Sequence, residues 1–198
     1  MINGFFDVKT SDDQLMSQRR DFLKLGMAGV VGAMIPFTSV NSVLAANNSS
    51  AWNISFRNVH TGESFSGVYR VGDKYLPEAF ERLNYVLRDF RTDEVFPMDP
   101  HIIDVLSIVH RKMDVLDPYE VLSGYRSPKT NSMLGKKAGG VAKNSFHMYG
   151  QALDIRIPDY NTKKIRNVAK SVKAGGVGYY PRSDFVHLDT GNVRSWTS

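Results

Sequence analysis

The residues best equipped for chemistry lie in two short stretches. One is Ser145-Phe146-His147-Met148-Tyr149-Gly150-Gln151-Ala152-Leu153-Asp154, the other Asp184-Phe185-Val186-His187-Leu188-Asp189. Together they offer a divalent ion two imidazoles and a carboxylate, with a spare carboxylate three residues before the second histidine. Two His and one carboxylate leave a fourth position open, the make-up of a catalytic zinc set rather than a structural one. The lone spacing His-x6-Asp is a weak signal that arises often by chance. Alternation strengthens it. From Gly150 onward the chain reads as a strand, with Leu153, Ile155 and Ile157 on a core face and Ala152, Asp154 and Arg156 on the other. In the second stretch Val186 and Leu188 face the core, so His187 and Asp189 point the opposite way. Two adjacent antiparallel strands would put Asp154 and His187 on one surface. His147 would reach it from the loop before Gly150, whose glycine permits a sharp turn. The competing reading is that both histidines are ordinary surface or edge residues.

The elements that must position these groups fit one domain, or one domain plus a leader, within the 198 residues. There is no cysteine, which excludes thiolate ligation, disulfides and a Cys nucleophile. No Gly-x-Ser-x-Gly motif is present either, so a covalent hydrolase is disfavoured. The formal charge of +5 comes from scattered Lys and Arg, which suits a solvated surface drawn to an acidic polymer or an anionic membrane. No motif points to nucleic acid. Residues 52–56 and 64–71 read as an opening hairpin at a sheet edge, with His60 at its turn. Pro77-Glu78 opens a helix, and Asp99-Pro100 opens the next with an N-cap and a first-position proline. His101 and His110 lie on that second helix as surface residues. A strand over Tyr119–Ser123 ends in Gly124-Tyr125-Arg126-Ser127-Pro128, then comes a short helix over 130–137 and a flexible loop over 138–141. Thr162 is read as the cap of a further helix that Gly175-Gly176 stops, and Trp196 as a cover for the core.

Upstream, Gln18-Arg19-Arg20-Asp21-Phe22-Leu23-Lys24 precedes an apolar run from Leu25 to Ala46 that Gly26, Gly29, Gly32 and Pro36 dilute. Paired arginines before a mild apolar run read as a twin-arginine export signal. Such a run is a poor permanent span. Val43-Leu44-Ala45 supplies small residues where a signal peptidase reads, with Ala46 as an alternative end. Residues 1–45 are therefore expected to be a leader and 46–198 the working domain, delivered to the periplasm by the twin-arginine machinery. A retained membrane anchor is the alternative.

The joint pattern Ser-x-His-x-x-Gly-x-Ala-x-Asp followed by Asp-x-x-His resembles the zinc peptidases of the M15 type, which share a fold with the hedgehog signalling domain. The match extends to Ser123-Gly124-Tyr125-Arg126-Ser127 and to His187-Leu188-Asp189-Thr190-Gly191, over roughly the last half of the chain. With the leader, it is most similar to the periplasmic murein endopeptidase K group. The resemblance implies an α+β fold, a small antiparallel sheet with helices packed on it. It implies one Zn2+ on His147, Asp154 and His187, with Arg126 facing the site to bind a carbonyl oxygen or oxyanion. A zinc ion would acidify bound water from ~16 toward ~7, and a nearby carboxylate would take the proton. The resemblance makes that base Asp184, although many relatives carry Glu there. Asp189 is its rival and is otherwise, with Ser145, a residue that orients a ligand. N and O donors alone do not exclude Mn or Fe.

Compartment, site and basic surface together suggest peptidoglycan peptide stems as substrate and a monomer as the working form. The resemblance then implies cutting of peptide cross-links, between two diaminopimelates or between D-alanine and diaminopimelate. Two alternatives stand: a zinc D,D-carboxypeptidase that trims terminal D-alanine, and a hedgehog-like module that holds metal without catalysis. The leader generates the first prediction. Changing Arg19 and Arg20 to Lys retains the protein in the cytoplasm, and fractionation with unchanged periplasmic yield would count against twin-arginine export.

Overall fold

The computed structural model describes residues 50–198, apart from 139 and 140. The leader read over residues 1–45 and the two glycines of the 138–141 loop lie outside the described residues. Among the described residues no helix is long and apolar enough to cross a membrane.

The strands are β1 (Ala51–Asn58), β2 (Ser64–Val71), β3 (Lys74–Tyr75), β4 (Tyr119–Ser123), β5 (Ala152–Arg156), β6 (Gly176–Tyr180), β7 (Phe185–Asp189) and β8 (Arg194–Thr197). The helices are α1 (Pro77–Val86), α2 (Pro100–Met113), α3 (Pro128–Ala138) and α4 (Thr162–Val172), with a 3₁₀ turn at Phe146–Tyr149. All eight strands form one sheet in the order β3-β2-β1-β4-β5-β7-β6-β8. Helices on a mostly antiparallel sheet agree with the expectation, but the sheet is not small. Two parallel pairings enlarge it. β1 lies beside β4, which carries the opening hairpin into the main sheet, and the tail strand β8 lies beside β6.

Alternation sorts the sheet into two faces. Leu153 and Ile155 of β5, Val186 and Leu188 of β7, Val177 of β6 and Phe56 of β1 are buried in one continuous core. α1 packs on β1 and β2, α2 on β1 and α4, and α4 on β6 and β7. The helices supply Leu83, Ile102, Ile103, Leu106, Val109, Ile165 and Ala169 to that core. Each fully buried Leu, Ile or Phe contributes about 1.5–3 kcal/mol. As expected, Asp99 caps α2 by accepting from the His101 backbone N–H, and Pro100 occupies the first turn. α4 differs. Its cap is Asn161, which accepts from the Lys163 N–H, while Thr162 donates its hydroxyl to Asp184. Its end is Lys173 in the left-handed region (φ 57), and Gly176 belongs to β6.

The loop after β4 is clamped by residues 87–94. The Tyr125 N–H donates to the Leu87 carbonyl at 2.8 Å, and its hydroxyl donates to Glu94 at 2.8 Å. Asp89, 1% exposed, accepts from the Ser127 N–H (2.9 Å), the Ser127 hydroxyl (2.6 Å) and the Arg91 N–H (3.0 Å). Gly124 runs so close to this segment that a Cβ would come within 2.3 Å of the Leu87 oxygen, which explains the glycine. Burial alone would raise the Asp89 pKa; the hydrogen bonds from Ser127, Thr130 and Arg91 outweigh it and hold the carboxyl below its usual range. An Asp depressed in the fold stabilises above its unfolded pKa of about 3.9, and that contribution is lost as pH falls through the lower folded value. Asp89→Asn replaces one acceptor oxygen with an NH2 donor that faces other donors, so chemical denaturation at pH 7 should show a loss of about 1–3 kcal/mol. The gap between parent and variant should close below pH 4, and a gap that persists undiminished there would refute the ionised role.

Candidate metal centre

β5 and β7 pair in antiparallel register with Asp154 directly opposite His187. Directly opposed residues share a face, so register alone brings this carboxylate and this imidazole together. His147 arrives from the 3₁₀ turn. Gly150 ends that turn at φ +65, and a Cβ there would lie 2.4 Å from the Pro97 oxygen. The turn is tied down by the Arg126 N–H donating to the His147 carbonyl at 3.1 Å. One donor atom from each of His147, Asp154 and His187 lies within 4.8 Å of the others. Asp154 Oδ1 is 2.8 Å from His187 Nδ1 and 3.2 Å from His147 Nε2, and the two ring nitrogens are 3.2 Å apart.

The outer contacts fix which atoms face inward. His147 Nδ1 donates to the Gly124 carbonyl at 2.8 Å, which turns Nε2 toward the group. His187 Nε2 donates to Asp189 Oδ2 at 3.0 Å, which turns Nδ1 inward. Asp189 is 1% exposed and fully engaged, accepting also from the Gly176 and Gly191 N–H groups and from both terminal nitrogens of Arg194. Oriented imidazoles backed by a carbonyl and a carboxylate are what metal ligands require. The residues therefore fit a divalent ion, which His147 Nε2, Asp154 Oδ1 and His187 Nδ1 would hold.

The electrostatics agree. Burial pushes the Asp154 carboxyl up, but the charge and hydrogen bonds of both imidazoles overcome it and hold it well below the carboxylate range. Burial lowers His147, keeping its imidazole neutral. Burial also acts to lower His187, yet Asp154 and Asp189 on its two nitrogens lift it to about 9. A proton on His187 Nδ1 thus faces Asp154 in the place a cation would take, and metal binding would release it.

The group forms the floor of a cleft of about 540 Å³, walled by Arg126, Ser145, Phe146, Tyr180, Phe185 and Trp196 among others. Arg126, 9% exposed, donates from Nη2 to Asp154 Oδ2 (3.2 Å) and to the Ser123 hydroxyl (3.1 Å). Ser145 stands on the wall and accepts the Met148 N–H through its carbonyl. Asp184 is not brought to the group. It occupies the β6–β7 turn with φ +49, accepts from the Thr162 hydroxyl at 2.9 Å, and lines a separate cavity with Glu120, Arg156 and Thr162. The left-handed turn and Thr162 direct its carboxylate away from the group, so this geometry does not itself support the expected base role. Trp196 does not cover the core. It stands on Gly178, where a Cβ would come within 2.5 Å of the indole, with its ring 5.4 Å from the His187 ring. Sequence reasoning missed Arg194, Tyr180 and the tethering Asp89. A signal existed for Arg194 in Gly176-Val177-Gly178, since glycines at alternate strand positions leave one face bare for covering side chains.

Donor set, orienting shell and open cleft together fit a metal-dependent hydrolase. The chain belongs to the M15 peptidase family described as peptidoglycan L,D-endopeptidase MepK, which residues 46–196 match. It is 39% identical over 180 residues to the probable peptidoglycan L,D-endopeptidase MepK of Haemophilus influenzae, covering 90% of this chain and 95% of that one. It is 38% identical over 184 residues to the peptidoglycan L,D-endopeptidase MepK of Escherichia coli K12, covering 93% of this chain and all of that one, and the Shigella flexneri protein matches equally.

His147→Ala or His187→Ala should abolish stoichiometric metal by elemental analysis while circular dichroism stays native, because the core faces are untouched. Asp189→Asn should weaken metal affinity by about 10–100-fold. A full complement of tightly held ion in either His variant would remove that residue from the set.

Proposed function

We propose that this chain is a murein endopeptidase that uses zinc on His147, Asp154 and His187 to cut peptide cross-links of the cell wall. The observation that carries the reading is the buried His–Asp–His group at the floor of an open cleft, in a chain of the endopeptidase family. When bound, a divalent ion supplies Lewis acidity and acidified water at neutral pH. The chain's own residues do the rest. Asp189 holds the His187 ring, and Gly124 holds the His147 ring. Arg126 holds Asp154 through Nη2, while its Nη1 takes no protein acceptor among the described residues and can meet a carbonyl oxygen in the cleft. Such a pre-oriented donor is worth more in a desolvated site than in water. Asp189 is buried behind His187, so it positions the ligand and does not touch substrate. Residues 46–198 form the working domain, monomeric and periplasmic after twin-arginine export, and the scattered basic surface favours an acidic polymer.

Purified sacculi incubated with the protein should release shortened cross-linked muropeptides, resolved by mass. Chelator should stop the release and added zinc restore it. Loss of terminal D-alanine alone would favour a carboxypeptidase, and metal binding without cleavage a non-catalytic module. Arg126→Lys should keep the ion and lose roughly 100- to 1,000-fold in turnover, the scale for removing one oriented oxyanion donor. Asp184→Asn should retain turnover within about tenfold, well short of the loss seen on removing a general base. A dead Asp184→Asn variant with its ion in place would return the base role to that residue.

A further inference from the structure

Tyr180 closes β6 on the cleft wall, in register with Phe185 of β7, and the two rings stack at 4.4 Å between centroids. Its hydroxyl accepts the Trp196 Nε1–H at 3.1 Å. Indole nitrogen is only a donor, whereas a phenol has one proton to give and lone pairs to accept with. The direction of this bond is therefore fixed, and the Tyr180 proton is pushed elsewhere. Among the described residues no acceptor takes it. The Trp196 indole in turn is held by Gly178 beneath it and stands beside His187, which Gly178 opposes in the sheet. A rigid hydroxyl with an uncommitted proton thus faces the same cleft as the metal ligands, one indole away from His187.

We infer that Tyr180 is a substrate-binding residue whose hydroxyl donates to an oxygen, amide or carboxylate, of the peptide stem beside the scissile bond, with Trp196 as the residue that positions it. The inference rests on the endopeptidase reading and deepens it. Arg126 contacts Asp154 from the β4 side of the sheet, whereas Tyr180 belongs to β6 on the far side of β7. The stem is gripped from both sides of the metal centre. Since the indole separates Tyr180 from the ligand, its contact is made equally in ground and transition states and acts on affinity more than on turnover.

The test uses the full chain loaded with zinc and a synthetic stem tetrapeptide ending in diaminopimelate and D-alanine. Tyr180→Phe should hold its ion and melt as the parent does. By calorimetry it should bind the tetrapeptide about tenfold more weakly, the worth of one hydrogen bond. Its turnover on a cross-linked muropeptide at saturation should change by less than about threefold. Trp196→Phe should weaken binding in the parent and change nothing in the Tyr180→Phe background, a coupling that a structural role alone would not produce. Equal affinity of parent and Tyr180→Phe, or an equal cost of Trp196→Phe in both backgrounds, would overturn the inference while a cleaving parent leaves the endopeptidase reading intact. A parent that neither binds nor cuts would overturn both. If Tyr180→Phe loses its ion or its fold, Trp196→Phe decides alone, and an unchanged affinity there sinks the proposal.

Discussion

A carboxylate taken out of water is tolerated only when its oxygens are engaged, and Asp154 shows how that demand shapes the molecule. Oδ1 lies between two imidazoles, and Oδ2 takes the Arg126 guanidinium. Each partner comes from a different place. His187 is supplied by strand register, His147 by a glycine-terminated 3₁₀ turn, and Arg126 by the loop after β4. The carboxylate's surroundings are therefore satisfied only when β5, β7, the turn and the loop are all in place. The same requirement makes the centre preorganised. The ligand atoms already lie within a few ångströms of one another, so an ion would encounter a formed site.

The demand propagates outward by one more layer. Arg126 can hold Asp154 only if its loop is held, and the loop is held by Asp89 through Ser127 and by Leu87 through Tyr125. His187 can present Nδ1 only if Nε2 is occupied, and its partner Asp189 is itself neutralised by the Arg194 fork and two backbone N–H groups. Bidentate Arg–carboxylate pairing fixes orientation as well as charge, which a lysine at 194 could not do. A chain of charges alternating in sign, Arg194–Asp189–His187–Asp154–Arg126, therefore runs across the sheet. It lies on the face opposite α1, α2 and α4, and the apolar core beneath supplies the rigidity that keeps it aligned.

Legibility from sequence followed physical range. Alternation in β5 and β7 is local, and it correctly put Asp154, His187 and Asp189 on one face. The Asp99-Pro100 start of α2 was legible for the same reason. Sheet size was not, because the pairing of β1 with β4 and of β8 with β6 depends on contacts between distant segments. Asp184 shows the limit most clearly. It lies just outside the regular strand, where a residue at φ +49 no longer obeys period two, and a hydroxyl 22 residues away decides its direction. Asp89 shows the same limit from the other side. Nothing in its neighbourhood marks its tethering role, since Ser127, the residue it holds, lies 38 residues downstream.

The bare face of β6 links fold to chemistry. Gly176 and Gly178 alternate opposite Asp189 and His187, so the sheet has no side chains of its own at these positions. Arg194 fills the space over Gly176, and Trp196 that over Gly178. Both come from β8, the last strand, whose parallel pairing with β6 sets them two residues apart in matching register. The tail is thus a working wall of the site: one side chain neutralises the carboxylate behind His187, and the other stands against the His187 ring and orients Tyr180. Glycine in a strand weakens it by about 0.5–1 kcal/mol relative to Ala. Here that cost buys close approach of a guanidinium to Asp189 and of an indole to His187, which no larger residue at 176 or 178 would allow.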